Sequence, residues 1–68
     1  MNQYVTGAVI KELREKAHFT QAELADKLNV SSKTISKWER GIAMPDSSIM
    51  LRLCDILGIS VNELLSGE

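Results

Sequence analysis

The stretch TQAELADKLNVSSKTISKWERG, Thr20 to Gly41, decides the fold of this 68-residue chain. Thr20 and Glu23 stand in the pattern Ser/Thr-x-x-Glu. In that pattern the hydroxyl accepts from one orphan amide of a starting helix and the carboxylate reaches back to another. Phe19, just before the cap, and Leu24, just after it, have the spacing of a hydrophobic staple. Leu24, Ala25 and Leu28 recur at helical spacing, so this helix has one apolar face. Asn29 follows, one of the few non-glycine residues that tolerate a left-handed backbone where a helix ends. Ser31 then caps a second helix, with Val30 and Ile35 at the same staple spacing.

Wound at about 100° per residue with Ile35 at zero, the second helix puts Trp38 within roughly 60° of Ile35. Lys33, Lys37 and Arg40 fall between about 140° and 200°, and Thr34 and Ser36 lie on the flanks at about 100° either way. One edge is therefore apolar and aromatic, and the other carries three cations beside small hydroxyl residues. A basic stripe by itself is common on any solvated helix. The turn upstream changes its meaning, because a helix, a three-residue turn and another helix fit the helix-turn-helix unit. Cations neutralise phosphate, and Lys or Ser hydrogen-bonds base edges in a major groove wide enough for a helix.

Length and composition set the bounds. Sixty-eight residues make one domain, expected over 1–68, with a thin core that depends on well-made helix ends. The single cysteine, Cys54, cannot form an internal disulfide and points to a reducing cytoplasm. No run approaches the roughly 18 apolar residues of a spanning helix and no secretory signal is visible, so a cytoplasmic chain with no membrane association is expected. The net charge of −1 argues against a strongly basic binder. Its distribution is uneven. Residues 11–40 hold seven cations and five anions, whereas 41–68 hold Arg52 against Asp46, Asp55, Glu63 and Glu68. A local basic face thus coexists with an acidic body.

No stretch has the alternating, β-branched pattern of a strand. The expectation is an all-α bundle of five helices over about 6–17, 21–28, 32–40, 47–57 and 61–65. Thr6 is the expected first cap, with Val5 and Ile10 as its staple. Val9, Ile10, Leu13 and Ala17 form the first apolar stripe, while Lys11, Glu12, Glu15 and Lys16 face water. Arg14 is either one more surface charge or a residue that reaches the binding face. Gly41 stops the third helix, and Asp46 after Pro45 caps the fourth, whose buried side is Ile49, Met50, Leu53, Cys54 and Leu57. Gly58 ends that helix. Ser60 and Glu63 repeat the capping box for the fifth, with Ile59 and Leu64 stapled, before a frayed end at Ser66, Gly67 and Glu68.

Nothing in the chain assembles a catalytic or metal site. His18 is alone in a connection, and Cys54 lies on an apolar stripe with no base near it in sequence. Neither a second histidine nor a second cysteine exists to complete a tetrahedral metal site. No cofactor and no small-molecule site is expected.

The residues LREKAHFTQAELADKLNVSSKTISKWERG, the Pro45 break, LCDILGIS and the ending VNELL carry a resemblance. From about Ile10 to Leu65 the chain resembles the Cro and phage-repressor (XRE) type of helix-turn-helix domain. The resemblance implies a compact five-helix fold with helix three in the major groove of double-stranded DNA. It also implies a transcriptional regulator, a repressor by the family's habit. Position by position, Gln21 would meet a backbone phosphate at the start of helix two. Ser32, Lys33, Ser36 and Lys37 would reach base edges, and Arg40 would lie along the phosphates. Arg14 would pair with Glu39 and turn its guanidinium toward the DNA backbone. Ser32 and Ser36 are short, permissive hydrogen bonders, so the target sequence is not legible. Most relatives of this kind work as dimers. Here a homodimer would use Gly58 to Ser60 and helix five, through Ile59, Val61 or Leu65, or a region beyond the chain in a longer regulator. An antitoxin or protein-binding adaptor on the same fold is the alternative, since fold alone does not separate the two.

Overall fold

Each helix begins on a polar side chain that its own sequence supplies. The structure, a computed structural model, describes residues 2–67. Met1 and Glu68, the ends of the expected domain and of its frayed tail, lie outside the described residues. Among those described run α1 (Gln3–Lys16), α2 (Gln21–Leu28), α3 (Ser32–Glu39), α4 (Ser47–Leu57) and α5 (Val61–Ser66). Thr20 and Glu23 form the complete capping box of α2, with Glu23 N to Thr20 Oγ1 at 3.0 Å and Thr20 N to Glu23 Oε1 at 2.8 Å. Ser60 and Glu63 do the same for α5. Ser31 accepts from Thr34 N, and Asp46 accepts from Ile49 N. Such caps are each worth about 0.5–2 kcal/mol, a large share of the stability of a small domain. The Thr20 and Ile49 amides hold the Glu23 and Asp46 carboxyls below their ordinary pKa values. What these caps add is therefore present above the usual carboxylate range and is lost as acidification protonates them.

The first helix starts earlier than the sequence pattern suggests. Asn2, not Thr6, is its cap, and Asn2 Oδ1 accepts from Tyr4 N and Val5 N. Thr6 is one turn inside α1 and buried. Both residues are good caps by type, and Thr6 is withdrawn from that role because it shares a face with Ile10 and Arg14 at i, i+4 and i+8. The buried stripe of α1 is accordingly Thr6, Gly7, Ile10 and Arg14. Val9 and Leu13 are only half-buried, and Ala17 is exposed at the C-cap.

Four helices stop in the same manner. A residue with positive φ follows each of α1 to α4: His18 at 62°, Asn29 at 58°, Gly41 at 73° and Gly58 at 73°. The next residue, always apolar, turns its N–H back onto the helix. These bonds are Phe19 to Arg14 O, Val30 to Ala25 O, Ile42 to Lys37 O and Ile59 to Cys54 O, at 2.9–3.1 Å. His18 is the least expected of the four, since a non-glycine residue with positive φ is uncommon, although histidine enters that region more readily than most.

Every helix contributes an anchor to one core: Ile10, Leu24, Leu28, Ile35, Trp38, Leu53 and Leu64 are all essentially solvent-free. Cys54 joins them, and burial pushes its thiol pKa up, as expected for inert filler. α3 packs against both α1 and α2, while α5 closes on α1 and α4. The approach of α1 to α3 is close enough to exclude a side chain. A Cβ at Gly7 would stand 2.3 Å from Trp38 O and 2.8 Å from Glu39 O.

At the same crossing lies a buried ion pair. Arg14 Nε donates to Glu39 Oε2 at 2.6 Å, Nη2 to Oε1 at 3.1 Å and Nη1 to Phe19 O at 2.8 Å. Gln21 Nε2 adds a further bond to Oε1 at 3.0 Å. The two charged side chains are 10% and 3% exposed, so their geometry rather than solvent decides their energy. The hydrogen bond that Arg14 donates to Glu39 raises the Arg14 pKa still further, against the cost of burial. One carboxylate thus ties the end of α3 to the start of α2 and the last turn of α1.

Three single substitutions and one double substitution test this account by denaturant unfolding. Gly7→Ala should cost about 1–3 kcal/mol by forcing α1 off α3. His18→Gly should add about 0.5–1 kcal/mol, because glycine removes the left-handed penalty at a smaller entropic cost. Glu39→Ala should cost about 3–5 kcal/mol by stranding Arg14, whereas Arg14→Met with Glu39→Leu should recover most of that loss. A Glu39→Ala midpoint equal to the wild type would show that water already reaches the pair.

Candidate nucleic-acid interface

The two faces of α3 are opposed in space as they are on the helical wheel. Ile35 is 0% exposed and Trp38 3%. Ser32, Lys33, Lys37 and Arg40 are exposed, and Thr34 and Ser36 are half-buried on the flanks. Ser31 secures the first turn, where its Oγ bonds both Thr34 N at 3.1 Å and Thr34 Oγ1 at 3.0 Å. The burial of Ile35 and Trp38 leaves α3 no freedom to roll, so its outer edge is a fixed surface. Lys33 and Lys37 make no ion pair or hydrogen bond with a side chain among the described residues. Their ammonium groups are therefore available to an external anion.

Arg40 is arranged differently. It is the C-cap of α3, and its Nε donates to Ser36 Oγ at 3.2 Å and Ser36 O at 3.3 Å. The guanidinium lies back along the helix, with its Nη groups unengaged among the described residues. Gln21 is half-buried at the first turn of α2, one N–H on Glu39, its backbone at the helix end that favours an anion. The structure thus brings Ser32, Lys33, Ser36, Lys37 and Arg40 to one edge of one helix. Arg14 stands apart from them. It is 9% exposed, and all three of its nitrogens face protein acceptors. Its observed partners are Glu39 and Phe19, and its observed work is to hold helices together.

Two residues that shape this surface escape a reading of the sequence. Gly7 sets how near α3 lies to α1, and no local signal marks a mid-helix glycine as a contact point. Tyr4 is 66% exposed, yet its ring covers Gly41, where a Cβ would come within 2.4 Å of it. Gly41, in the turn that ends α3, is therefore covered by a side chain of the first helix. Other cations serve elsewhere. Lys16 meets Glu12 at 3.3 Å in the open, Lys27 lies 5.1 Å from the centre of the Phe19 ring, and Arg52 Nη2 donates to Lys27 O. Among the described residues no helix is long and apolar enough to cross a membrane.

This geometry has known counterparts. A family model described as helix-turn-helix matches residues 10–64. The chain is 39% identical over 62 residues to the transcriptional regulator ImmR of Bacillus subtilis (strain 168), covering 91% of this chain and 49% of that protein. It is 37% identical over 59 residues to the transcriptional activator BcrR of Enterococcus faecalis, covering 87% of this chain and 29% of that protein. It thus spans about half or less of the length of these two regulators. Among solved structures, the P22 c2 repressor in complex with synthetic operator 9T superposes with a TM-score of 0.88 at 35% identity, over 93% of this chain and 96% of that one. With the paired helices, the caps and the buried face of α3 all in place over the matched span, the chain belongs to the helix-turn-helix family, of the Cro and phage-repressor (XRE) type.

Proposed function

We propose that this chain is the double-stranded-DNA-binding domain of a transcriptional regulator, with α3 laid in the major groove. The observation that carries the reading is the outer edge of α3. Lys33, Lys37 and Arg40 are exposed, and the two ammonium groups and the Arg40 Nη groups are unpaired among the described residues, on a helix held from behind by Ile35 and Trp38. The likeness to a repressor solved on its operator supports the same orientation. In this reading Ser32, Lys33 and Lys37 face base edges with Ser36 beside them, and Gln21 and Arg40 meet phosphates. Arg14 acts from behind, keeping α2 and α3 at a fixed angle so that Gln21 and Lys37 engage one duplex together.

The regulator is a cytoplasmic repressor that works as a homodimer. One module of this size buries about 600–1,000 Å² on DNA, too little for tight specific binding alone. Two copies on half-sites about one helical turn apart supply the rest. Ile59, Val61 and Leu65, all half-buried around α5, are the apolar positions open to such a contact.

A titration of duplex DNA over a salt series tests the reading. Affinity should fall with rising salt, each neutralised phosphate adding about −0.9 to the slope of log K against log salt. Binding that ignores salt would point instead to a protein-binding adaptor or antitoxin. On a site selected from a random pool, Lys37→Ala should cost about 1–3 kcal/mol and relax the preference at one base pair. Unchanged affinity would remove Lys37 from the interface.

A further inference from the structure

The exposed edge of α3 contains one internal contact that the reading above does not use. Arg40 Nε lies 3.2 Å from Ser36 Oγ and 3.3 Å from Ser36 O, one helical turn back. A serine hydroxyl that accepts from a guanidinium has given one of its two lone pairs to the protein. Arg40 in turn retains its four Nη hydrogens, which form no bond among the described residues. A free arginine samples many rotamers, and a partner that captures it must order them. Here that ordering is present before any ligand arrives.

We propose that Ser36 is a positioning residue, whose hydroxyl holds the Arg40 guanidinium along the outer face of α3 so that its two Nη groups meet a DNA phosphate as a preset fork. The proposal rests on the DNA-binding reading and deepens it. A phosphate is the fitting acceptor for two reasons. Arg40 is the C-cap residue, whereas helix-turn-helix proteins read bases mainly with the N-terminal part of their second helix. A paired N–H fork also matches two phosphate oxygens. Ser36 then contributes to affinity through Arg40 and not through a base of its own.

The test combines DNA binding with a measurement that needs no DNA. Duplex affinity is compared for wild type, Ser36→Ala, Ser36→Thr, Arg40→Ala and the Ser36→Ala/Arg40→Ala pair, on a site selected by the wild type. Ser36→Ala should weaken binding about two- to tenfold, the range expected for ordering one long side chain. Ser36→Thr, which keeps the hydroxyl, should restore it. In the Arg40→Ala background, Ser36→Ala should have no further effect, and the base preference of Ser36→Ala should equal that of the wild type. The bond is exposed, so thermal stability should not move with it. Additive losses, or an altered base preference, would overturn the proposal by giving Ser36 a contact of its own.

In the free protein, solvent exchange of the Arg40 Nε hydrogen, read by NMR, should be slower in wild type and Ser36→Thr than in Ser36→Ala. Equal rates would overturn the hydrogen bond whatever the DNA result. A wild type that binds no duplex at any salt would overturn the DNA-binding reading, and this role with it, while an exchange difference would still identify the bond.

Discussion

Glu39 is the point at which three helices of this domain are made to agree. Its carboxylate receives two bonds from Arg14 and one from Gln21, in a place that water scarcely reaches. A charge so placed cannot be left half-satisfied, because the desolvation it has suffered is recovered only when the donors are in register. The pair therefore acts less as a source of stability than as a gauge. An apolar contact tolerates sliding, but a bidentate fork tolerates little. The start of α2 and the end of α3 both border the edge proposed to face DNA. Both are tied to the same oxygen atoms.

A chain this short cannot leave its helix ends to chance. The core takes about one or two anchors from each helix, which limits what burial alone can supply. The remainder comes from termini, with a polar side chain at each start and a left-handed residue with an apolar follower at four of the stops. These devices act locally and are encoded within four or five residues. That is why they were legible without coordinates at Thr20, Ser31, Asp46 and Ser60. The inward face of α3 was legible for the same kind of reason, since helical periodicity needs no partner to be known. The five-helix class follows from the two together.

Where the sequence is silent or ambiguous, the deciding interaction is distant along the chain. The pattern favours Thr6 as the first cap, and only its packing beside Ile10 moves the cap to Asn2. Gly7 looks like a weak point in a helix until Trp38 and Glu39 are brought against it. His18 gives no hint of a positive φ, because the requirement comes from the direction Phe19 must take to reach the core. Arg14 could not be told from a surface charge by its own neighbours. Its pairing with Glu39 was available only through resemblance to a family, and its full set of acceptors only through the fold.

The charge of the molecule makes that rigidity matter for binding. With a net charge of −1, there is little long-range attraction to draw the chain onto DNA of any sequence. A strongly basic domain can accept a loose fit, since counterion release carries it. This one presents three cations on one edge of a short helix, with the acidic residues placed at caps and on other surfaces. Weak non-specific binding raises the ratio of right to wrong sites, provided the right site is met with little further ordering. In the proposed mode of binding, the buried carboxylate, the Ile35 and Trp38 face and the tethered Arg40 would all lower that remaining cost. On the proposed reading, a small acidic domain with a stiff basic edge gains its selectivity from geometry held in advance, where a basic one would draw on charge.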